Sequence, residues 1–345
     1  MCERRRGLAG TMSTTHVFSE NPVLADAWYA VARSGDVAPG PLGVRVLGRS
    51  YVVWRDPDGV PVASADRCPH REAPLSAGTV IDGCLQCCYH GWRFGVGGRC
   101  VLVPSAQPGV PVPPRAHLDP VGVQERYGLV WLCPGVPRED VPKIVQEDDP
   151  AFRRINPDVE IWTTSATRMV DNFLDITHFP FVHAGTIGGE TDEVVPRLEL
   201  EQLDDSFFGY AYDVTVSNPE IAAATSGVPG TGAVTRRMSS GFALPFACRS
   251  TIAYETGLEH ILLLLSTPID DVTSYFIFVV WRNDDFSVPS DEVIRFDLAI
   301  GAEDKAMLER LDGVLPLELA GTVSVQSDKP SVEWRRRLAA LLAGE

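Results

Sequence analysis

The 345-residue chain contains no apolar run long enough to cross a membrane as a helix, which takes about 20 consecutive apolar residues. Its longest apolar runs, Ile261–Leu265 and Tyr275–Trp281, are strand-sized and rich in β-formers. Basic residues are scarce. Against 46 Asp and Glu stand 30 Lys and Arg, a net charge of −16. That field disfavours nucleic acid and anionic membranes as partners. It would suit a basic patch on a redox partner, and solubility alone also accounts for it. A secretory signal is missing as well. Arg4-Arg5-Arg6 opens like a twin-arginine signal, but Gly7–Met12 is too short and too weakly apolar for the hydrophobic segment that should follow. The expectation is a disordered leader over residues 1–20, with Met12 as an alternative start. Eight cysteines without a secretory signal fit a reducing cytoplasm. No internal repeat is present, so a repeat architecture is not expected.

What the chain does have is an unusual pairing of its scarce histidines with cysteines. Cys68-Pro69-His70 is followed, after sixteen intervening residues, by Cys87-Cys88-Tyr89-His90. Each loop offers one sulfur and one nitrogen. Two thiolates for one iron and two imidazoles for the other are the donor set of a Rieske [2Fe–2S] cluster. Neutral imidazole in place of thiolate makes the cluster less negative and easier to reduce, so a one-electron relay is the first functional expectation. Zinc takes the same ligand types, but zinc fingers usually pair Cys with Cys and His with His along the chain. A disulfide framework is disfavoured by the histidines and the missing signal. Cys87 and Cys88 are adjacent; the C-x-x-H spacing selects Cys87.

The first half reads as β structure, with short strands at Trp28–Arg33, Val44–Leu47, Ser50–Arg55 and Val60–Ser64 between Gly, Pro and Asp turns. Residues 101–120 are proline-dense and expected to run extended over the surface. A strand returns over Val121–Cys133, and the stretch 134–150 is the best linker candidate. The second half is expected to hold a strand at Val159–Thr164 and a helix from Ser165 to about Phe179. An antiparallel meander follows, with strands at 198–203, 207–216, 234–244, 248–255, 260–268 and 274–281. Helices are expected over Ser290–Leu311 and Ser331–Leu342. Residues 218–232, rich in Gly, Pro and Ala, could cover a pocket. The fold class is α+β: an N-terminal all-β domain over 21–145, then a catalytic domain over 146–345 in which a curved antiparallel sheet wraps long helices in a helix-grip arrangement around one deep cavity.

A second cluster of donors lies in Asp171–His183. Asn172, Asp175 and His178 step by three and would share a helical face. His183 is five beyond His178, with Pro180 between them, so the chain can turn and bring the two histidines together. Two His and one carboxylate form the facial triad of non-haem Fe(II), with open positions for O2. Asp304 sits in a helical stripe with Ile300, Met307 and Leu311, where an unpaired carboxylate is unfavourable; Asp297 falls on a similar face, and spacing does not choose between them. The other histidines read as ordinary: His16 in the leader, His117 on the surface, His260 as core. Phe242, Phe246 and Phe276 are candidates to line the cavity. Arg236 and Arg237 lie just beyond the 218–232 loop, which itself carries no obvious charge for holding a carboxylate.

From about Asn21 onward the chain resembles the Rieske non-haem iron oxygenases, in the α-subunit group of the dicamba and vanillate demethylases. It carries Cys-Pro-His-Arg, Cys-x-Tyr-His-Gly-Trp, Asn-x-x-Asp-x-x-His-x-x-x-x-His and Glu303-Asp304-Lys305; Cys88 stands where the family commonly has Pro. The resemblance implies a [2Fe–2S] cluster on Cys68, His70, Cys87 and His90 and a mononuclear Fe(II) on His178, His183 and Asp304. It also implies that Asp175 bridges His178 to His90 of a neighbouring subunit in a homotrimer, and that Asn172 sits near the iron. Ala73 occupies the position where respiratory Rieske proteins have a loop-tying Cys, so the expectation is a lower-potential, oxygenase-type cluster. The implied activity is that of a terminal oxygenase. Fed by a ferredoxin or flavin reductase, it would hydroxylate or oxidatively demethylate a largely apolar organic substrate. Ring cis-dihydroxylation, a pure electron-transfer protein and a non-catalytic ligand binder are the alternatives.

Overall fold

The structure, a computed structural model, describes residues 18–37, 39–190, 193–230 and 232–345. Arg4-Arg5-Arg6, Met12 and His16 lie outside the described residues. The first part is built from ten short strands: β1 Tyr29–Arg33, β2 Leu42–Val46, β3 Arg49–Arg55, β4 Pro61–Ala65, β5 Thr79–Ile81, β6 Cys84–Gln86, β7 Arg93–Phe94, β8 Cys100–Leu102, β9 Gly122–Arg126 and β10 Leu129–Cys133. They form three antiparallel sheets, β1-β10-β9, β2-β3-β4 and β5-β6-β7-β8. The single strand expected over 121–133 is a hairpin, because Tyr127 and Gly128 both adopt positive φ and reverse the chain. The little sheet β5–β8 was not anticipated; its strands have two or three residues each, too few for a period-2 pattern.

The second part is an eight-stranded antiparallel sheet running β11-β18-β17-β16-β15-β14-β13, with β12 also on β18. Its strands are β11 Arg153–Ile155, β12 Glu160–Trp162, β13 Glu201–Gln202, β14 Phe208–Ser217, β15 Ala233–Ala243, β16 Ala247–Tyr254, β17 Glu259–Pro268 and β18 Ser274–Arg282. The helices are α1 Ala166–Leu174, α2 Phe179–Val182, α3 Ala223–Ser226, α4 Ser290–Leu308 and α5 Lys329–Ala343. The loop expected at 218–232 contains α3, from which Thr225 donates to the Val293 carbonyl of α4 at 2.6 Å.

Alternation along β17 explains why its sequence is apolar throughout. Ile261, Leu263 and Leu265 point to one face, where they pack with Ala30, Leu129 and Trp131 of the β1-β10-β9 sheet. Leu262 and Leu264 point to the other, toward the helices and the cavity. The two parts thus share a core. A second cluster joins Val53 and Leu132 to Phe242, Phe246 and Trp334, and Thr267 Oγ1 donates to the Ala30 carbonyl at 2.7 Å. The stretch 134–150 is no free tether: Val141 and Ile144 are buried against the large sheet, and Trp281 Nε1 donates to Glu147 at 2.7 Å. Of the three phenylalanines suggested for the cavity, Phe276 lines it, whereas Phe242 and Phe246 belong to the core between the parts.

Candidate active site

The two Cys/His loops share one backbone frame. Cys68 N–H donates to the Ala73 carbonyl at 2.9 Å and Cys87 N–H to the Trp92 carbonyl at 2.9 Å; Glu72 N–H returns to Cys68 O at 2.8 Å and Gly91 N–H to Cys87 O at 3.1 Å. Glu72 and Gly91, at φ 60° and 70°, make the same left-handed turn in each loop. Cys68 and Cys87 are both buried. Burial, reinforced by the neighbouring Cys87, pushes the Cys68 thiol up to about 11. Such a thiol stays neutral unless a metal draws off the proton. His70 and His90 stand exposed at the loop tips, ring centroids 4.4 Å apart, with Trp92 stacked on His70 at 4.6 Å. Cys88 is exposed, its Sγ turned toward the Pro74 carbonyl. Two buried sulfurs beneath two converging imidazoles fit the donor set of a Rieske cluster.

The second site forms where α1 stops. Its expected extension to Phe179 does not occur. Asp175 caps α1 with extended backbone (ψ 145°), and its carboxylate accepts from Thr177 N at 2.9 Å, Thr177 Oγ1 at 2.7 Å and His178 N at 3.2 Å. His178 is therefore off the helix, and the shared helical face expected for Asn172, Asp175 and His178 is not what gathers them. Pro180 does not prevent helix at Phe179 but sits in the first turn of the short α2, where its missing N–H is harmless. After this turn His183 faces back: His178 Nε2 and His183 Nε2 are 3.1 Å apart, and Asp304 Oδ1, on α4, lies 3.4 and 3.2 Å from them. Edges near 3 Å are what cis ligands about 2.1 Å from one first-row metal produce.

Each imidazole is held from behind. His178 Nδ1 lies 2.8 Å from Asp175 Oδ2, and His183 Nδ1 lies 2.9 Å from Glu303 Oε2, which also accepts from Thr186 Oγ1 at 2.7 Å. With Nδ1–H donated to a carboxylate, each Nε2 lone pair faces the centre. Asn172 Nδ2 donates to Asp304 Oδ1 at 3.2 Å, while Asn172 Oδ1 is buried without a hydrogen-bond partner. Burial pulls the His178 imidazole down, but Asp175 and Asp304 outweigh it and raise it to about 9. Burial likewise opposes ionisation of Asp304, yet the hydrogen bonds of His178 and His183 hold it at about 2. A cationic centre fits among these groups, and a metal ion would supply it. Asp297 is not part of this group. Its Oδ2 lies 3.1 Å from His260 Nε2, too misaligned for a hydrogen bond, and His260 Nδ1 is 2.9 Å from the Arg282 guanidinium. His117 is exposed and His260 fully buried.

The triad opens on a pocket of about 880 Å³, mouth included. It is walled on one side by Leu262, Leu264, Phe276 and Phe278 of the large sheet and on the other by α1 and α4. Glu303 and Thr186 were the functional residues that sequence reasoning passed over. Glu303 stood in the quoted motif without a role; Thr186 had no signal.

A cluster site on one all-β unit and a His/His/carboxylate centre over an apolar pocket in a second define a two-site iron oxygenase. Comparison with known proteins agrees. Residues 27–119 match the Rieske [2Fe–2S] domain, and residues 162–344 match the vanillate O-demethylase oxygenase C-terminal domain. Methylxanthine N1-demethylase NdmA of Pseudomonas putida is 34% identical over 88% of this chain and 83% of its own. The vanillate O-demethylase oxygenase subunit of a Pseudomonas strain is 29% identical over 93% and 95%. The structure of NdmA with caffeine superposes with a TM-score of 0.79 at 29% identity, covering 94% of this chain and 93% of that one. Dicamba monooxygenase bound to dicamba gives 0.74 at 26% identity, over 93% and 98%. The chain belongs to the Rieske non-haem iron oxygenases. It is an oxidoreductase of the terminal-oxygenase kind that monooxygenates an organic substrate. It uses a Rieske [2Fe–2S] cluster and a mononuclear iron, and it draws electrons from a reductase or ferredoxin. No helix among the described residues is long and apolar enough to cross a membrane.

Proposed function

We propose that this oxygenase carries out hydroxylation or oxidative O- or N-demethylation of a largely apolar organic molecule bound in the pocket beside Asn172. In this reading Cys68, His70, Cys87 and His90 hold the cluster, and His178, His183 and Asp304 hold the iron. The observation that carries it is the triangle of ligand atoms with edges of 3.1–3.4 Å opening directly onto an apolar cavity. When bound, the cluster supplies single electrons and the iron supplies O2 activation with positions left open by only three protein ligands. The residues do the rest. Asp175 and Glu303 fix the tautomer and ring direction of the two histidines. Asn172 steadies Asp304 and leaves its own carbonyl free for a water or substrate donor. The aliphatic and aromatic wall excludes bulk water and selects the substrate by shape. The relatives whose names specify N- or O-demethylation support this reaction class over ring dihydroxylation.

The same reading takes residues 21–145 as the cluster domain and 146–345 as the catalytic domain. It takes the assembly as a cytoplasmic homotrimer in which His90 of the neighbouring copy meets Asp175. Two features support the trimer. Asp175 is about a quarter exposed beside an outward groove, and His70, Tyr89 and His90 form an exposed edge. The test is reconstitution with a reductase and candidate aryl methyl ethers and N-methyl compounds under labelled O2. Substrate-dependent O2 uptake, formaldehyde release or label in a hydroxylated product is expected from wild type and none from His178→Ala. Two labelled oxygens retained in one cis-diol product would replace this reading with dihydroxylation.

A further inference from the structure

Four arginines are buried among the described residues: Arg236, Arg249, Arg282 and Arg335. Three of them have ionic or hydrogen-bonding partners within the protein, although Nε of Arg249 and of Arg335 is, like that of Arg236, buried without one. Arg282 binds Asp284 at 2.6 Å and the carbonyls of Thr225 and Ala224; Arg249 pairs with Asp204 over the Phe207 ring; Arg335 binds the Pro316 and Glu318 carbonyls at 2.6 and 2.9 Å. Arg236 is the exception. It is 6% exposed and lines the catalytic pocket. Its Nε is buried without a hydrogen-bond partner, and among the described residues no carboxylate lies within ion-pair distance.

The sheet register explains its direction. Along β15, residues 236, 238, 240 and 242 are buried. The neighbours of Arg236 in the alternation point the other way: Thr235 is exposed, and Arg237 is exposed and pairs with Asp213 at 3.1 Å. Arg236 therefore shares the pocket face with Met238 and Ser240, directly opposite Tyr254 on β16. Of the three carboxylates that also line the pocket, Asp175 and Asp304 belong to the iron site and Asp297 lies beside His260 with Oδ2 unbonded, and none forms an ion pair with Arg236. A buried guanidinium without a counter-charge is unfavourable, and a site of this kind is stabilised when an anion arrives.

We propose that Arg236 is a specificity-determining residue that anchors an anionic head group, so that the substrate class is an apolar organic acid with its carboxylate on the guanidinium fork. The planar fork suits a carboxylate bidentately, and the apolar walls take the body of the molecule. This rests on the reading of the pocket as the substrate site.

The test uses intact, metal-loaded, anaerobic protein and matched probes: para-methoxybenzoate, para-methoxyphenylacetate and a methoxynaphthoate, each against its carboxamide, by titration calorimetry. At least one acid should bind tighter than about 1 mM and exceed its amide by about tenfold to a hundredfold. Arg236→Met should erase that preference, and Arg236→Lys should keep part of it. The ligand-free Arg236→Met protein should melt at or above the wild-type temperature, since an unpaired buried charge has gone; a fall would mean that Arg236 is a structural residue. Equal binding of acids and amides, no acid tighter than that limit, or a preference that survives Arg236→Met overturns the anchor. Reductase-driven turnover separates the two readings. Acids that bind through Arg236 yet are never oxygenated count against the oxygenase assignment of the pocket alone. Oxygenation that is unchanged in Arg236→Met counts against the anchor alone.

Discussion

Replacing Glu303 by Leu tests whether the two histidines proposed as iron ligands are set from behind. His183 is 1% exposed, and its Nδ1 has Glu303 Oε2 at 2.9 Å as its partner. The same oxygen accepts from Thr186 Oγ1 at 2.7 Å. Leucine removes the acceptor from both, and water cannot easily replace it around a ring so deeply buried. The imidazole then loses its fixed tautomer and some of its basicity. Loss of such an outer partner typically weakens a metal site about tenfold to a hundredfold, which is about 1.4–2.7 kcal/mol of binding free energy. Glu303→Gln keeps an acceptor oxygen in place and should stay within about tenfold of wild type. The assay is removal of the mononuclear iron with a chelator, anaerobic Fe(II) titration, and measurement of bound iron. The visible absorbance of the cluster serves as an internal control, since its proposed ligands lie in the other domain. Wild-type Fe(II) affinity in Glu303→Leu would refute the argument that this carboxylate orients His183.

Three further outcomes are expected. Asp175→Asn should retain both metal sites yet slow product formation by at least about tenfold, through loss of the charged partner of His178; single-turnover rates against metal content check it, and a normal rate rejects a relay at Asp175. Cys87→Ser should abolish the cluster spectrum while Cys88→Ser preserves it, because Cys87 is buried beside Cys68 and Cys88 faces outward. In the metal-free protein His178 keeps its proton to about 9, so metal uptake must expel it. Fe(II) affinity should then rise about tenfold per pH unit on approach to that value, and a flat profile refutes the coupling. The raised imidazole stabilises the metal-free fold fully below the ordinary His value and ceases to as the pH passes about 9. The depressed Asp304 contributes above the ordinary Asp value and loses its effect as the pH falls toward 2.

The long strands were legible because each carries its own pattern. β14 to β18 run eight to eleven residues, β14 with alternation and β17 and β18 as continuous apolar, β-rich runs, and their observed bounds differ from the expected ones by a residue or so. The short ones were not. Of the strand expected at 198–203 only Glu201–Gln202 pairs with a neighbour, and Arg93–Phe94, not expected at all, is a strand only because its neighbours pair with it. The hairpin at Tyr127-Gly128 had a local signal in its glycine, but continuous apolar sequence on both sides hid the turn. The Cys/His loops were legible for a chemical reason: the donor types and spacing fit few other sites. Glu303 and Thr186 were illegible because their role depends on α4 lying against the turn after α2, a contact between residues 117 apart.

The least legible feature is also the most instructive. Asn172, Asp175 and His178 recur at helical spacing, and a continuous helix would put them on one face. Such a helix would carry His183 round to another side, and the two Nε2 atoms could not approach to 3.1 Å. The chain resolves the conflict at Asp175. Its carboxylate accepts from the Thr177 and His178 backbone and so satisfies donors that the helix has abandoned. Its second oxygen remains on His178 Nδ1. One residue thus ends the helix and aims the His178 imidazole. A substitution that restored helix propensity at this point, such as Asp175→Ala, should therefore act twice. It frees the His178 ring, and it removes the acceptor that stabilises the turn. Its loss of iron affinity should exceed that of Asp175→Asn, which keeps an acceptor oxygen for the turn. Equal losses in the two variants would mean that the break is set elsewhere, by Pro180 or by packing on α4.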